Sequence, residues 1–145
     1  MRAIAVTTLV VLSGCGLGMM GRGQEPTAPS VSALTAQADG TESVTLTWAD
    51  AAVTREYLDQ ATASASGTWL SGTTVLSDRE LQLTFAHGFS QAMAGQGPYV
   101  VTLAMSDGAG MHACPCCRQS HVVQVQLTFD QQGAMASSNV TQSFR

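Results

Sequence analysis

Apolar residues recur at every second position in four separate runs of this chain, and only a pleated strand with one buried face uses that period. Val44, Leu46 and Trp48 alternate with Thr45 and Thr47. Leu81, Leu83 and Phe85 alternate with Gln82 and Thr84. Tyr99, Val101, Leu103 and Met105 share one face, with Thr102 and Ser106 on the other. Val123, Val125, Leu127 and Phe129 alternate with Gln124, Gln126 and Thr128. Weaker strand patterns cover Val31–Gln37, Ala61–Leu70 and Thr73–Leu76, and a frayed polar tail is expected over 131–145. Turn signals fall between the runs at Asp39-Gly40, Ser66-Gly67, Ser71-Gly72, Gly95-Gln96-Gly97-Pro98 and Asp107-Gly108. Ala51, Ala52, Arg55, Glu56, Leu58 and Gln60 are compatible with a helical turn inside Asp50–Ala63. Many short strands without a long amphipathic helix or an internal repeat predict an all-β antiparallel sandwich.

The N-terminus has a different character. Met1-Arg2 precedes an apolar run from Ala3 to Leu12, followed by the small residues Ser13 and Gly14. A cationic start, a short apolar run and small residues at a cut site describe a secretory signal peptide over 1–14. The run is half the roughly 20 residues that a membrane-crossing helix needs. Gly16-Leu17-Gly18-Met19-Met20-Gly21-Arg22-Gly23 cannot prolong it as a stable apolar helix. Residues 15–30 therefore predict a flexible linker, stiffened toward Pro26 and Pro29. One domain follows, over 31–130.

Leu12-Ser13-Gly14-Cys15 resembles the lipobox of bacterial lipoproteins. That resemblance implies cleavage before Cys15, lipid on its sulfur and acylation, such as palmitate, of the new amino group. Several acyl chains together hold a protein firmly to one leaflet of a bilayer. Gly16, a residue other than Asp after the cysteine, implies the outer membrane of the cell envelope by the same resemblance. The composition agrees with an address outside the cytosol. Only 11% of residues are charged, and the net charge is −4. All six cations are arginines, scattered along the chain at Arg2, Arg22, Arg55, Arg79, Arg118 and Arg145. Such spacing forms no basic patch, which argues against nucleic-acid binding and against electrostatic adhesion to anionic headgroups.

Two stretches carry a second resemblance. Pro26 to Gln37, followed by Ser43-Val44-Thr45-Leu46-Thr47-Trp48, resembles the opening of a fibronectin type III domain: a proline-rich entry, a strand, a turn, and a second strand ending in a core Trp. Gly97-Pro98-Tyr99 through Gly110 is similar to that family's sixth strand, and equally to bacterial immunoglobulin-like and PKD domains. The resemblance implies an immunoglobulin-like sandwich of about seven strands serving interaction rather than catalysis, with an envelope or extracellular protein as partner. Asp50 to Gln96 does not match, and the inner strands lack the cysteine pair of antibody-type domains.

The densest chemistry lies in Met111-His112-Ala113-Cys114-Pro115-Cys116-Cys117-Arg118-Gln119-Ser120-His121, between the last two strong strands. In a seven-stranded sandwich this is the loop joining the final pair. Three thiolates with His112 or His121 match the donor set of tetrahedral zinc, and Met111 adds a thioether suited to monovalent copper. Disulfide closure by Cys114–Cys117 or Cys114–Cys116 fits an oxidising compartment equally well and leaves one thiol over, available to cross-link chains. Redox catalysis by the CxxC of Cys114 and Cys117 lacks its usual helix N-terminus, and haem attachment fails because Arg118 stands where His is required. His87 reads as a loop residue, Asp107-Gly108-Ala109-Gly110 as a turn, and Asp78 and Glu80 as a solvated strand edge. No ordered nucleophile, base and acid, phosphate loop or separated carboxylate pair stands out, so no enzyme activity is expected. The Asn139-Val140-Thr141 sequon has no role in a bacterial envelope.

Overall fold

The computed structural model describes residues 26–49, 53, 55–106 and 120–144. Two antiparallel sheets form a sandwich. The strands are β1 (Ser30–Val31), β2 (Thr35–Ala36), β3 (Glu42–Thr47), β4 (Leu70–Ser77), β5 (Glu80–Phe85), β6 (Tyr99–Ser106), β7 (Ser120–Phe129) and β8 (Met135–Phe144). One sheet runs β1-β3-β5-β4, with β2 also on β3; the other runs β6-β7-β8. The four strongly alternating segments become β3, β5, β6 and β7, the inner strands and one edge of this arrangement.

Their register explains the alternation. Val44 lies opposite Leu83 and Leu46 opposite Leu81 in the first sheet. Val101 lies opposite Val125 and Leu103 opposite Val123 in the second. All eight of these side chains are at most 1% exposed, so the two apolar rows meet face to face as one core.

Two helices close the sandwich. Helix α1 (Arg55–Ser64) realises the helical turn expected within Asp50–Ala63. It buries Tyr57, Leu58 and Ala61 on one side and leaves the Arg55–Asp59 pair, at 3.0 Å, in solvent on the other. It packs mainly on β6 and also reaches β4, plugging one long side of the sandwich. The expected strand over Ala61–Leu70 is corrected accordingly. Ala61 belongs to the last turns of α1, and only an isolated bridge from Ser66 to Thr102 continues the pairing. Alanines at 61, 63 and 65 favour helix and give a strand no bulky face to bury. Short helix α2 (Phe89–Met93) is tied to β3 by Glu42, which accepts from the Ser90 N–H at 2.9 Å and the Ser90 hydroxyl at 2.6 Å.

Two further expectations change. Ser71-Gly72 is not a turn but lies inside β4, where the register shifts between Leu70 and Gly72. The tail over 131–145 is not frayed: Met135–Phe144 is a full strand paired along β7 from His121↔Phe144 to Phe129↔Met135. The hairpin before it is shaped by Asp130, whose Oδ1 accepts from Gln132 N at 2.8 Å and Ala134 N at 2.9 Å, and by Gly133 at φ 88°. The domain therefore extends past residue 130, and the described residues form eight strands, in keeping with the expected all-β sandwich of about seven.

Candidate functional site

The aromatic side chains of the core gather at its two ends. Phe85, Phe89, Tyr99 and Phe129 meet at one end, with Phe85 and Phe89 stacked at 4.2 Å. At the other end β6 finishes and β7 begins, and there Trp48, Tyr57, His121 and Phe144 form a second cluster.

His121 is the one residue of the anticipated ligand set that lies among the described residues. Cys15, Met111, His112, Cys114, Cys116 and Cys117 all lie outside them, as does Asp107-Gly108-Ala109-Gly110. The His121 side chain points inward from β7 and is 4% exposed. Its Nδ1 lies 2.5 Å from the Tyr57 hydroxyl, and its Nε2 lies 2.9 Å from Gln142 Oε1. An amide oxygen only accepts, so Nε2 carries the hydrogen and Nδ1 accepts from the Tyr57 hydroxyl. Gln142 Nε2 then donates to the Pro26 carbonyl at 3.2 Å. The result is one chain of polar contacts, Tyr57–His121–Gln142–Pro26, linking α1, β7, β8 and the segment that enters the domain.

The electrostatics follow from burial. Desolvation holds the His121 imidazole below the ordinary histidine range, against a smaller opposing effect of its bond to Gln142. Burial likewise drives the Tyr57 phenol far above its ordinary value, tempered by the nearby Trp48 indole. Trp48 and Tyr57 meet edge to face at 5.9 Å and 85°, yet the Trp48 Nε1 finds no well-aligned acceptor among the described residues. Phe144 stacks on the His121 ring at 4.1 Å. At neutral pH the cluster holds a neutral imidazole and a neutral phenol, a packed polar network rather than an acid–base pair.

This geometry defines what His121 can do. Both ring nitrogens are engaged, so binding a metal would require His121 to give up its contact with Tyr57 or with Gln142. Any zinc or copper site then depends on residues beyond the described set. Among the described residues no three His, Cys, Asp or Glu side chains converge. Tyr57 and Gln142 were not singled out by the sequence. No short-range pattern marks them, because 64 residues separate Tyr57 from His121 and Gln142 sits in a strand of polar residues.

The remaining candidates lie in turns and strands. His87 follows β5, is exposed, and lies over Gly40, whose φ of 89° closes the Asp39-Gly40 turn. Arg79 donates to the Ala49 carbonyl at 3.0 Å in the β4–β5 turn, and Glu80 accepts from the Ser77 hydroxyl at 2.9 Å. Asn139-Val140-Thr141 lies within β8.

No helix of the described residues is long and apolar enough to cross a membrane. No family model matches the chain, and no curated protein or solved structure matches it.

Proposed function

We propose that this chain is a lipid-anchored protein of the bacterial cell envelope that displays an immunoglobulin-like sandwich as a non-enzymatic interaction module. The anchoring part is supported by the Leu12-Ser13-Gly14-Cys15 lipobox and the glycine-rich linker behind it. Support for the immunoglobulin-like part comes from the strand order β1-β3-β5-β4, which is that of the first sheet of a constant-type immunoglobulin domain. In that comparison β6 and β7 are the last two strands of the family pattern. Helix α1 with the Ser66 bridge stands in for the strand that should precede β4, and β8 is an addition.

The observation that carries the interaction reading is the charge pattern of the second sheet. Strands β6, β7 and β8 together contain no Asp, Glu, Lys or Arg. Their outward rows are Thr, Gln, Ser and Asn with Val100, Ala104 and Val122, on a chain whose net charge is −4. A partner docking there desolvates no ion, and hydroxyls and amides supply the specificity. The second cluster supports a non-enzymatic role, since its imidazole and phenol are committed to each other and to Gln142.

Fractionation tests the anchoring. The wild-type chain should partition with membranes and into a detergent phase, while Cys15→Ser should be recovered in the aqueous phase. Equal partitioning of the two would remove the lipid anchor from the account.

A further inference from the structure

Unpaired strand edges invite other strands, so folded proteins shorten, bend, charge or cover them. Three of the four sheet edges here are managed in that way. The β1 and β2 pieces are two residues each. Strand β4 carries two register shifts. The outer edge of β6 is covered by α1: Ser66 pairs with Thr102, and the Ala104 N–H donates to the Ser64 hydroxyl at 2.8 Å. The fourth edge, along β8, is protected least: its single register shift lies at its start, where Ser137 pairs with Thr128 and Met135 with Phe129, and from Ser137 to Phe144 the strand runs on without another, approached by β1 but not paired with it. It is ten residues long, holds no Pro, Gly or charge, and pairs only with β7 among the described residues. No backbone hydrogen bond from a described residue reaches it from the other side.

We propose that the free edge of β8 is a self-association site, at which two copies of this chain pair antiparallel and join their second sheets into one. The proposal names a partner for the interaction module inferred above and rests on that reading, but it does not depend on lipid anchoring. Two properties of β8 point to a second copy. First, a strand without charge meets its own image without repulsion, although the whole chain is acidic. Second, a two-fold axis through Val140 gives a compatible register. It sets the half-buried Val140 against itself, Ser138 against Gln142, and the exposed Asn139 against Thr141, so apolar meets apolar and polar meets polar. Main-chain hydrogen bonds supply affinity, as in strand addition generally.

Light scattering of the full chain in detergent, under a thiol reductant that prevents cross-linking, reads the polypeptide mass. Two copies per particle, falling toward one on dilution, are expected. Amide hydrogen exchange should slow in β8, and not in β4, in the associated sample. In N139K/T141K the proposed register places lysines opposite lysines, and dimer dissociation should become about tenfold easier or more. A single copy at every concentration would overturn the proposal. So would a dimer that survives N139K/T141K with β8 amides exchanging as fast as in the monomer. If the double variant fails to fold, exchange in the wild type at high and low concentration still decides. A monomer that stays in the membrane fraction would refute self-association and leave the anchoring intact.

Discussion

The Tyr57 hydroxyl donates to Nδ1 of His121, and that bond joins helix α1 to the start of strand β7, 64 residues later. Gln142 Oε1 fixes the imidazole tautomer by accepting from Nε2, and Gln142 Nε2 carries the network on to the Pro26 carbonyl.

Removing the donor should therefore be costly. Tyr57→Phe keeps the ring against Trp48 but leaves Nδ1 buried without a partner, a loss of about 1–3 kcal/mol. Urea unfolding should show a lower midpoint with an unchanged slope. A midpoint equal to wild type would mean that the bond contributes nothing net.

The same site predicts a pH dependence with a definite sign. The folded protein holds the imidazole neutral, with its pKa below the ordinary value, while the unfolded chain protonates it near about 6.5. The unfolded state thus binds more protons in this interval. Stability from this group is complete above the unfolded value and is lost as pH falls through the folded one. Melting temperatures taken between about pH 7.5 and 5 should decline more steeply for wild type than for His121→Gln, the slope difference reporting this one group. Parallel curves would contradict the assignment. No charged side chain of the described residues is hydrogen-bonded to His121 to offset the effect.

At the opposite end, Phe89 is the keystone of the first aromatic cluster. It is fully buried, stacks on Phe85 and meets Tyr99 and Phe129 edge to face. Phe89→Ala should cost about 3–5 kcal/mol by leaving a cavity between the sheets. Calorimetry would detect this as a large drop in melting temperature. A loss under about 1 kcal/mol would imply that α2 does not pack as described.

The β7–β8 hairpin offers a backbone test. Gly133 has φ 88°, and a Cβ there would lie 2.8 Å from Gln91 Nε2 and 3.1 Å from the Ser90 carbonyl. Gly133→Ala should lose about 1–2 kcal/mol, and faster amide exchange should be concentrated in β8. Uniform exchange rates in the variant would argue against the hairpin.

Much of the architecture was legible because β3, β5, β6 and β7 obey one rule. Val44, Leu83, Val101 and Val125 face the core from strands whose other face meets water, so period 2 survives in the sequence. Strand β8 breaks that rule. Its inward row includes Ser138 and Gln142, since an edge strand covers only the rim of the core, and polar residues on both faces read as a tail. Helix α1 was half visible, because Tyr57, Leu58 and Ala61 have helical spacing but the alanines after them suggest no face. The site was less legible still. His121 stands ten residues or fewer from three cysteines and two other donors, which suggests a ligand. What commits it elsewhere is a tyrosine that only the folded chain brings near.

Mass spectrometry of the N-terminal peptide, taken from protein isolated with its native membranes, addresses the central claim most directly. The account predicts a mature chain that begins at Cys15 and carries acyl groups on both its sulfur and its amino nitrogen. A chain recovered with Met1 and an unmodified Cys15 would contradict it.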